Sequence, residues 1–89
     1  MAQRIYLIED DTALRTELAH VLELSGYAVA AYEGTWGDTA ARALAAELKD
    51  MPIDVFVSSD LKRAFGTCVI LAAAHGVAPD AIVQTKLLR

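Results

Sequence analysis

Arg4-Ile5-Tyr6-Leu7-Ile8-Glu9-Asp10-Asp11-Thr12-Ala13-Leu14-Arg15 is the stretch that decides the fold. Residues 4–8 are apolar or β-favouring and stop at three acids, Glu9, Asp10 and Asp11, which is the pattern of a buried central strand. From Thr12 the period changes. Leu14, Leu18, Val21 and Leu22 recur at helical spacing, Asp11 or Thr12 can cap the start, and Gly26 can end the helix.

The same alternation continues outward along the chain. Residues 27–32 predict a second strand, weakened by Ala28, Ala30 and Ala31, and Gly34-Thr35-Trp36-Gly37 predicts a loop. A second helix is expected over 38–49, with Ala41, Leu44, Ala45 and Leu48 on one face and Pro52 beyond its end. Residues 53–58 predict a third strand with Asp54 near solvent, 61–75 a third helix closed by Gly76, and 81–87 a fourth strand after Pro79.

Strands alternating with helices imply a parallel sheet with right-handed crossovers. The expected fold is therefore α/β and three-layered, with a mainly parallel four-stranded sheet in the order 2-1-3-4 and three helices. The first helix covers one face, and the second and third cover the other. A face with one helix over four strands leaves apolar surface and an unpaired edge, so self-association is expected, by edge pairing or by swapping an element.

Bulk composition bounds the function. The 89 residues allow one core and hence one domain over 1–89, and 55% apolar against 22% charged residues argues for a folded chain. A net charge of −4 with no Lys/Arg run argues against nucleic acid and anionic membrane surfaces as partners. No stretch approaches the roughly 18 apolar residues of a membrane span, and residues 1–4 lack the apolar region of a signal peptide, so the cytoplasm is expected by default. Cys68 is the only cysteine, which excludes an internal disulfide and assigns it to the core.

Arg4-Ile5-Tyr6-Leu7-Ile8-Glu9-Asp10-Asp11, with Leu14-Arg15, Leu18, Leu22, Gly26-Tyr27 and Val29, resembles the start of response-regulator receiver domains over about residues 3–33. In that family the acids ending the first strand hold Mg²⁺, which places Glu9 and Asp10 at the matching positions. Gly37, Ala41, Leu44-Ala45, Leu48, Val57-Ser58-Ser59-Asp60-Leu61-Lys62-Arg63-Ala64, Thr67 and Leu87-Leu88-Arg89 look like something else. They are similar to the histidine phosphatase superfamily, the phosphoglycerate-mutase-like enzymes, in which the Arg of this stretch, here Arg63, binds substrate phosphate. Together the two resemblances imply a fold chimera, residues 1–34 joined to 35–89 near Glu33 to Gly37, made by recombination in the laboratory.

The resemblances also imply what is lost. The phosphatase family needs a nucleophilic His in an Arg-His-Gly motif on its first strand, and Glu9-Asp10-Asp11 stands there instead. A receiver needs an acceptor Asp at the end of the third strand; counting from Asp54 puts Ser59 at that position and Asp60 one residue late, on the opposite face, where it is better placed as a helix cap. The receiver's later Thr/Ser and Lys have no expected counterpart. His20 and His75 are assigned structural roles, as are Tyr32 and Trp36 beside the junction.

What remains is a cluster at the carboxyl edge of the first and third strands, the switch point where open α/β sheets bind ligands. Glu9, Asp10 and Asp60 form a weak candidate Mg²⁺ site, and Ser59 and Arg63 a vestigial phosphate site. The competing reading pairs Arg63 or Lys62 with the acids. No cofactor is otherwise expected. The expectation is thus a non-enzymatic structural chimera, and the alternative is a receiver-like phosphorelay module that accepts phosphate with Mg²⁺.

Overall fold

The change of period at residue 12 is realised as a strand, β1 (Arg4–Ile8), and a helix, α1 (Thr12–Leu24), in the computed structural model, which describes residues 2–34, 37–59 and 61–85. Asp11 is the cap: its Oδ1 accepts a hydrogen bond from the Leu14 amide at 2.9 Å, satisfying a donor with no partner in the first helical turn. At the other end Gly26 takes φ 98°, and the Tyr27 amide bonds back to Leu22 O at 3.1 Å, so the chain turns directly into β2 (Ala28–Tyr32).

The remaining elements are α2 (Asp38–Leu48), β3 (Val55–Ser58), α3 (Lys62–Ala74) and β4 (Val83–Gln84). All pairings are parallel, in the order β2-β1-β3-β4. This matches the order expected from the sequence. Strand β1 is bonded on both edges and covered by helices on both faces, so Ile5, Tyr6, Leu7 and Ile8 are all buried.

Alternation along β1 divides the core in two. Tyr6 and Ile8 join Phe56 in a cluster with Ala45 and Leu48 of α2 and Ala64, Cys68, Leu71 and Ala72 of α3. Ile5, Leu7 and Val57 lie in a second cluster with Leu18, Ala19 and Leu22 of α1. The layers are therefore α1, the sheet, and the α2/α3 pair. At the amino edge Asp54 is exposed, as anticipated, and its Oδ2 accepts from the Arg4 amide at 2.8 Å.

The fourth strand departs from expectation. It starts at Val83 rather than at residue 81, because Pro79-Asp80-Ala81 forms a 3₁₀ turn in which the Ala81 amide bonds Ala78 O at 3.0 Å. Proline at the start of that turn has no N–H to give a sheet and favours the tight turn instead. The expected span beyond Thr85, and Leu87-Leu88-Arg89 with it, lies outside the described residues.

Candidate functional site

The carboxyl edge of the sheet collects the polar residues of the core. Glu9 and Asp10 follow β1 directly, Ser58 ends β3, Ser59 follows it, and Arg63 stands in the first turn of α3. Arg63 reaches across from α3 to β1: its Nε donates to Asp10 Oδ2 at 3.0 Å. The other oxygen, Oδ1, accepts from the Gly34 amide at 2.7 Å. Gly34 fits because this spot has no room for a side chain; a Cβ there would lie 3.0 Å from Asp10 Oδ1 and 3.1 Å from Ala64 Cα.

Burial alone would raise the Asp10 carboxyl. Hydrogen bonds from Arg63 and the Gly34 amide, with the positive charge of Arg63 and Arg15, outweigh it and hold the group below its ordinary range. Asp10 is therefore a carboxylate at neutral pH. Arg15 is itself anchored, donating from Nη1 to Glu9 O at 2.8 Å.

A second feature lies one row further along the sheet. Leu7 is paired with Val57, and Val57 with Val83, across the three adjacent strands. Two residues on along each strand stand Glu9, Ser59 and Thr85, each no more than 1% exposed. The ladder persists into this row, since the Glu9 amide bonds Tyr32 O and the Ser59 amide bonds Ile8 O, both at 2.9 Å. Glu9 Oε2 accepts from the Asp11 amide at 3.3 Å, whereas Glu9 Oε1 and Thr85 Oγ1 are buried with no hydrogen-bond partner among the described residues. Ser59 Oγ accepts from the Leu61 amide at 3.2 Å, and the Ser58 hydroxyl donates to Ser59 O at 2.9 Å.

The structure thus brings Arg63 to Asp10, and sets Glu9 and Ser59 beside them at the same edge. Asp60 lies outside the described residues, as does Trp36. Among the described residues no group of three or more His, Cys, Asp or Glu is placed to hold a metal ion. Mg²⁺ at Glu9 and Asp10 would share the Asp10 carboxylate with the Arg63 guanidinium, so the described residues alone do not complete such a site.

Thr85 is not among the expected site residues, because it joins the row only through the register of β3 with β4. The signal for it is the period-2 step from Val83, since Thr85 follows Val83 by one strand repeat. The histidines stand apart. His20 is exposed on α1, and His75 closes α3 at the end away from Arg63, with its ring nitrogens 3.1 Å from Leu71 O and Met51 O. Cys68 is buried as expected; burial pushes its thiol up to about 12, which the neighbouring Ser58 hydroxyl only partly offsets.

A cleft of about 460 Å³ opens beside Arg63, between the first turns of α2 and α3. Its walls include Asp38, Ala41, Lys62, Gly66 and Ile70.

The family model of the histidine phosphatase superfamily (branch 1) matches residues 35–89, more than half of the chain. No curated protein and no solved structure matches the chain. The family match overturns the expectation of a non-enzyme: β1 has no Arg-His-Gly motif, but the chain carries a phosphatase-family segment that includes Lys62, Arg63 and every residue lining the cleft. No helix among the described residues is long and apolar enough to cross a membrane.

Proposed function

Given that this chain belongs to the histidine phosphatase superfamily (branch 1), we propose that it is a phosphoryl-transfer domain, binding a phosphate group with Arg63 and receiving the phosphoryl on Asp10. The observation that carries this reading is the 3.0 Å contact between Arg63, from the family segment, and Asp10, at the end of the strand where the family keeps its nucleophile. A guanidinium is planar and has several donors in a fork, so one face of it can orient a carboxylate while it also binds phosphate oxygens. It offsets the repulsion between a carboxylate nucleophile and an anionic ester.

The chemistry balances without a further reactant. An Asp10 oxygen bonds to phosphorus as the ester oxygen leaves with the bonding pair and takes a proton from solvent. Water then cleaves the acyl phosphate, releasing phosphate and restoring the carboxylate. Asp10 is ionised for this role because Arg63 and Gly34 outweigh its burial.

We also read the chain as a fold chimera, a receiver-like piece over 1–34 and a histidine-phosphatase-like piece over 35–89. Under that reading the Arg63 to Asp10 contact joins the two. One observation favours a second function, the receiver-like phosphorelay module with Mg²⁺: the buried, unpartnered Oε1 of Glu9 leaves acceptor capacity beside Asp10. In that case Glu9, Asp10 and Asp60 would hold the ion, which would supply charge neutralisation of the incoming phosphoryl group.

Intact-mass spectrometry after incubation with acetyl phosphate separates the two. Transfer to Asp10 adds the mass of one phosphoryl group to the wild-type chain without Mg²⁺, and the adduct is lost in Asp10→Asn and in Arg63→Ala. An adduct that requires Mg²⁺ and disappears in Asp60→Asn favours the phosphorelay reading instead. An unchanged mass under every condition sinks both.

A further inference from the structure

We propose that the cleft between α2 and α3 holds the organic body of the phosphorylated ligand, and that this body is compact and apolar, as in an aryl phosphate, rather than a polyhydroxylated sugar. This inference rests on the phosphate reading at Arg63. The cleft measures about 460 Å³, within the range of pockets that bury small ligands, and Lys62 and Arg63 stand on its wall. A phosphate held at those cations leaves its ester group at the mouth of the cleft. The walls behind it are Ala41, Gly66 and Ile70, which offer no side-chain hydrogen bonds, and Thr67, whose buried hydroxyl already donates to Arg63 O at 3.0 Å. Asp38 is the lone carboxylate in the lining, and it already faces the amino end of α2, whose dipole favours a negative charge there.

Gly66 supplies an independent observation. It sits inside α3, where glycine costs helix stability relative to alanine, and neither of the usual reasons for keeping it applies. Its φ is not positive, and a Cβ built on it would meet no atom within 4 Å. The backbone does not need glycine and the packing does not exclude a side chain. What the missing side chain does is hold open the wall of the cleft, where a bound ring would lie flat against the helix.

The charge arrangement fits the same ligand. Two cations at one end and apolar walls at the other match an anion joined to a hydrocarbon body, whereas the hydroxyls of a sugar would be desolvated against alanine and isoleucine without partners.

The test is titration calorimetry of the purified chain with inorganic phosphate, glycerol phosphate and phenyl phosphate, on wild type, Gly66→Ala, Gly66→Leu and Arg63→Ala. The expected result is that phenyl phosphate binds about tenfold tighter than the other two. Gly66→Leu removes that advantage and leaves inorganic phosphate within about twofold of wild type, the limit of an effect confined to the cleft. Gly66→Ala, which improves the helix, raises the melting temperature and shows that the helix tolerates a side chain there. Phosphate binding that depends on Arg63, with no preference for phenyl phosphate or with a preference that survives Gly66→Leu, overturns the cleft assignment and spares the phosphate site. No binding of any phosphate removes the Arg63 reading and this inference with it.

Discussion

Glu9 and Asp10 are neighbours with opposite surroundings, and the contrast makes each testable on its own. Asp10 has both oxygens occupied, by Arg63 and Gly34, so its folded carboxyl titrates below its unfolded value. The stability this contributes is present above the unfolded aspartate value of about 3.9 and fades as pH falls through the lower folded value. Wild type should therefore lose stability on acidification through that window, and Asp10→Asn should show a shallower acid limb in chemical denaturation series; superimposable limbs would mean the pair does not form. Thr85 is the simpler case. Its hydroxyl is buried without a partner among the described residues, so Thr85→Val, which replaces it with a methyl group, should stabilise the chain by about 1 kcal/mol in urea unfolding, and a loss of similar size would reveal a partner. The pairing of Arg63 with the acids was one of two readings open in the sequence. The polar row was legible only in part: Glu9 and Ser59 were expected at one sheet edge, but adding Thr85 to them depends on strand register across 50 and then 26 positions, which no local pattern encodes.

At the scale of elements, the legible ones are those with their own stop and start signals. Helix α1 began where Asp11 precedes a helical repeat and ended at Gly26, because a capping carboxylate and a glycine with φ 98° are local requirements. Asp11→Ala should cost about 1 kcal/mol in thermal or urea unfolding, since it leaves the Leu14 amide without its acceptor. An effect near zero would show that solvent replaces the cap. Helix α3 is different: among the described residues no side chain caps its first turn, and Ser59 Oγ meets the Leu61 amide from outside the helix. Strand β4 differs from expectation in where it starts. Apolar residues after Pro79 looked like one continuous strand, but the 3₁₀ turn consumes the first of them.

For the whole molecule, alternating elements led to the strand order because parallel crossovers leave few alternatives. The unequal covering of the two faces follows from that order, and it bears on assembly. Helices α2 and α3 shield one face, α1 shields part of the other, and β4 has no partner on its outer edge among the described residues. Val21 and Leu24 of α1 are exposed as well. We infer that the chain self-associates through this edge, and light scattering across a concentration series should show mass rising above that of the monomer. A constant monomer mass would set the edge aside as tolerated.

Strand β1 is hydrogen-bonded to β2 on one side and to β3 on the other, so the polypeptide closes its sheet from the middle outward. Its contacts with β2 join residues 24 positions apart, as at Arg4 and Ala28, while those with β3 span 50, as at Ile5 and Val55. Short loops close at a smaller entropic cost than long ones, so the β1-α1-β2 unit is the natural place for assembly to begin, with β3 and the later helices added to a ready template. Amide exchange should register that history in reverse: protons of β1 are the last to trade with deuterated solvent, those of β4 are among the first, and the spread between them measures how nearly the molecule unfolds as one cooperative unit.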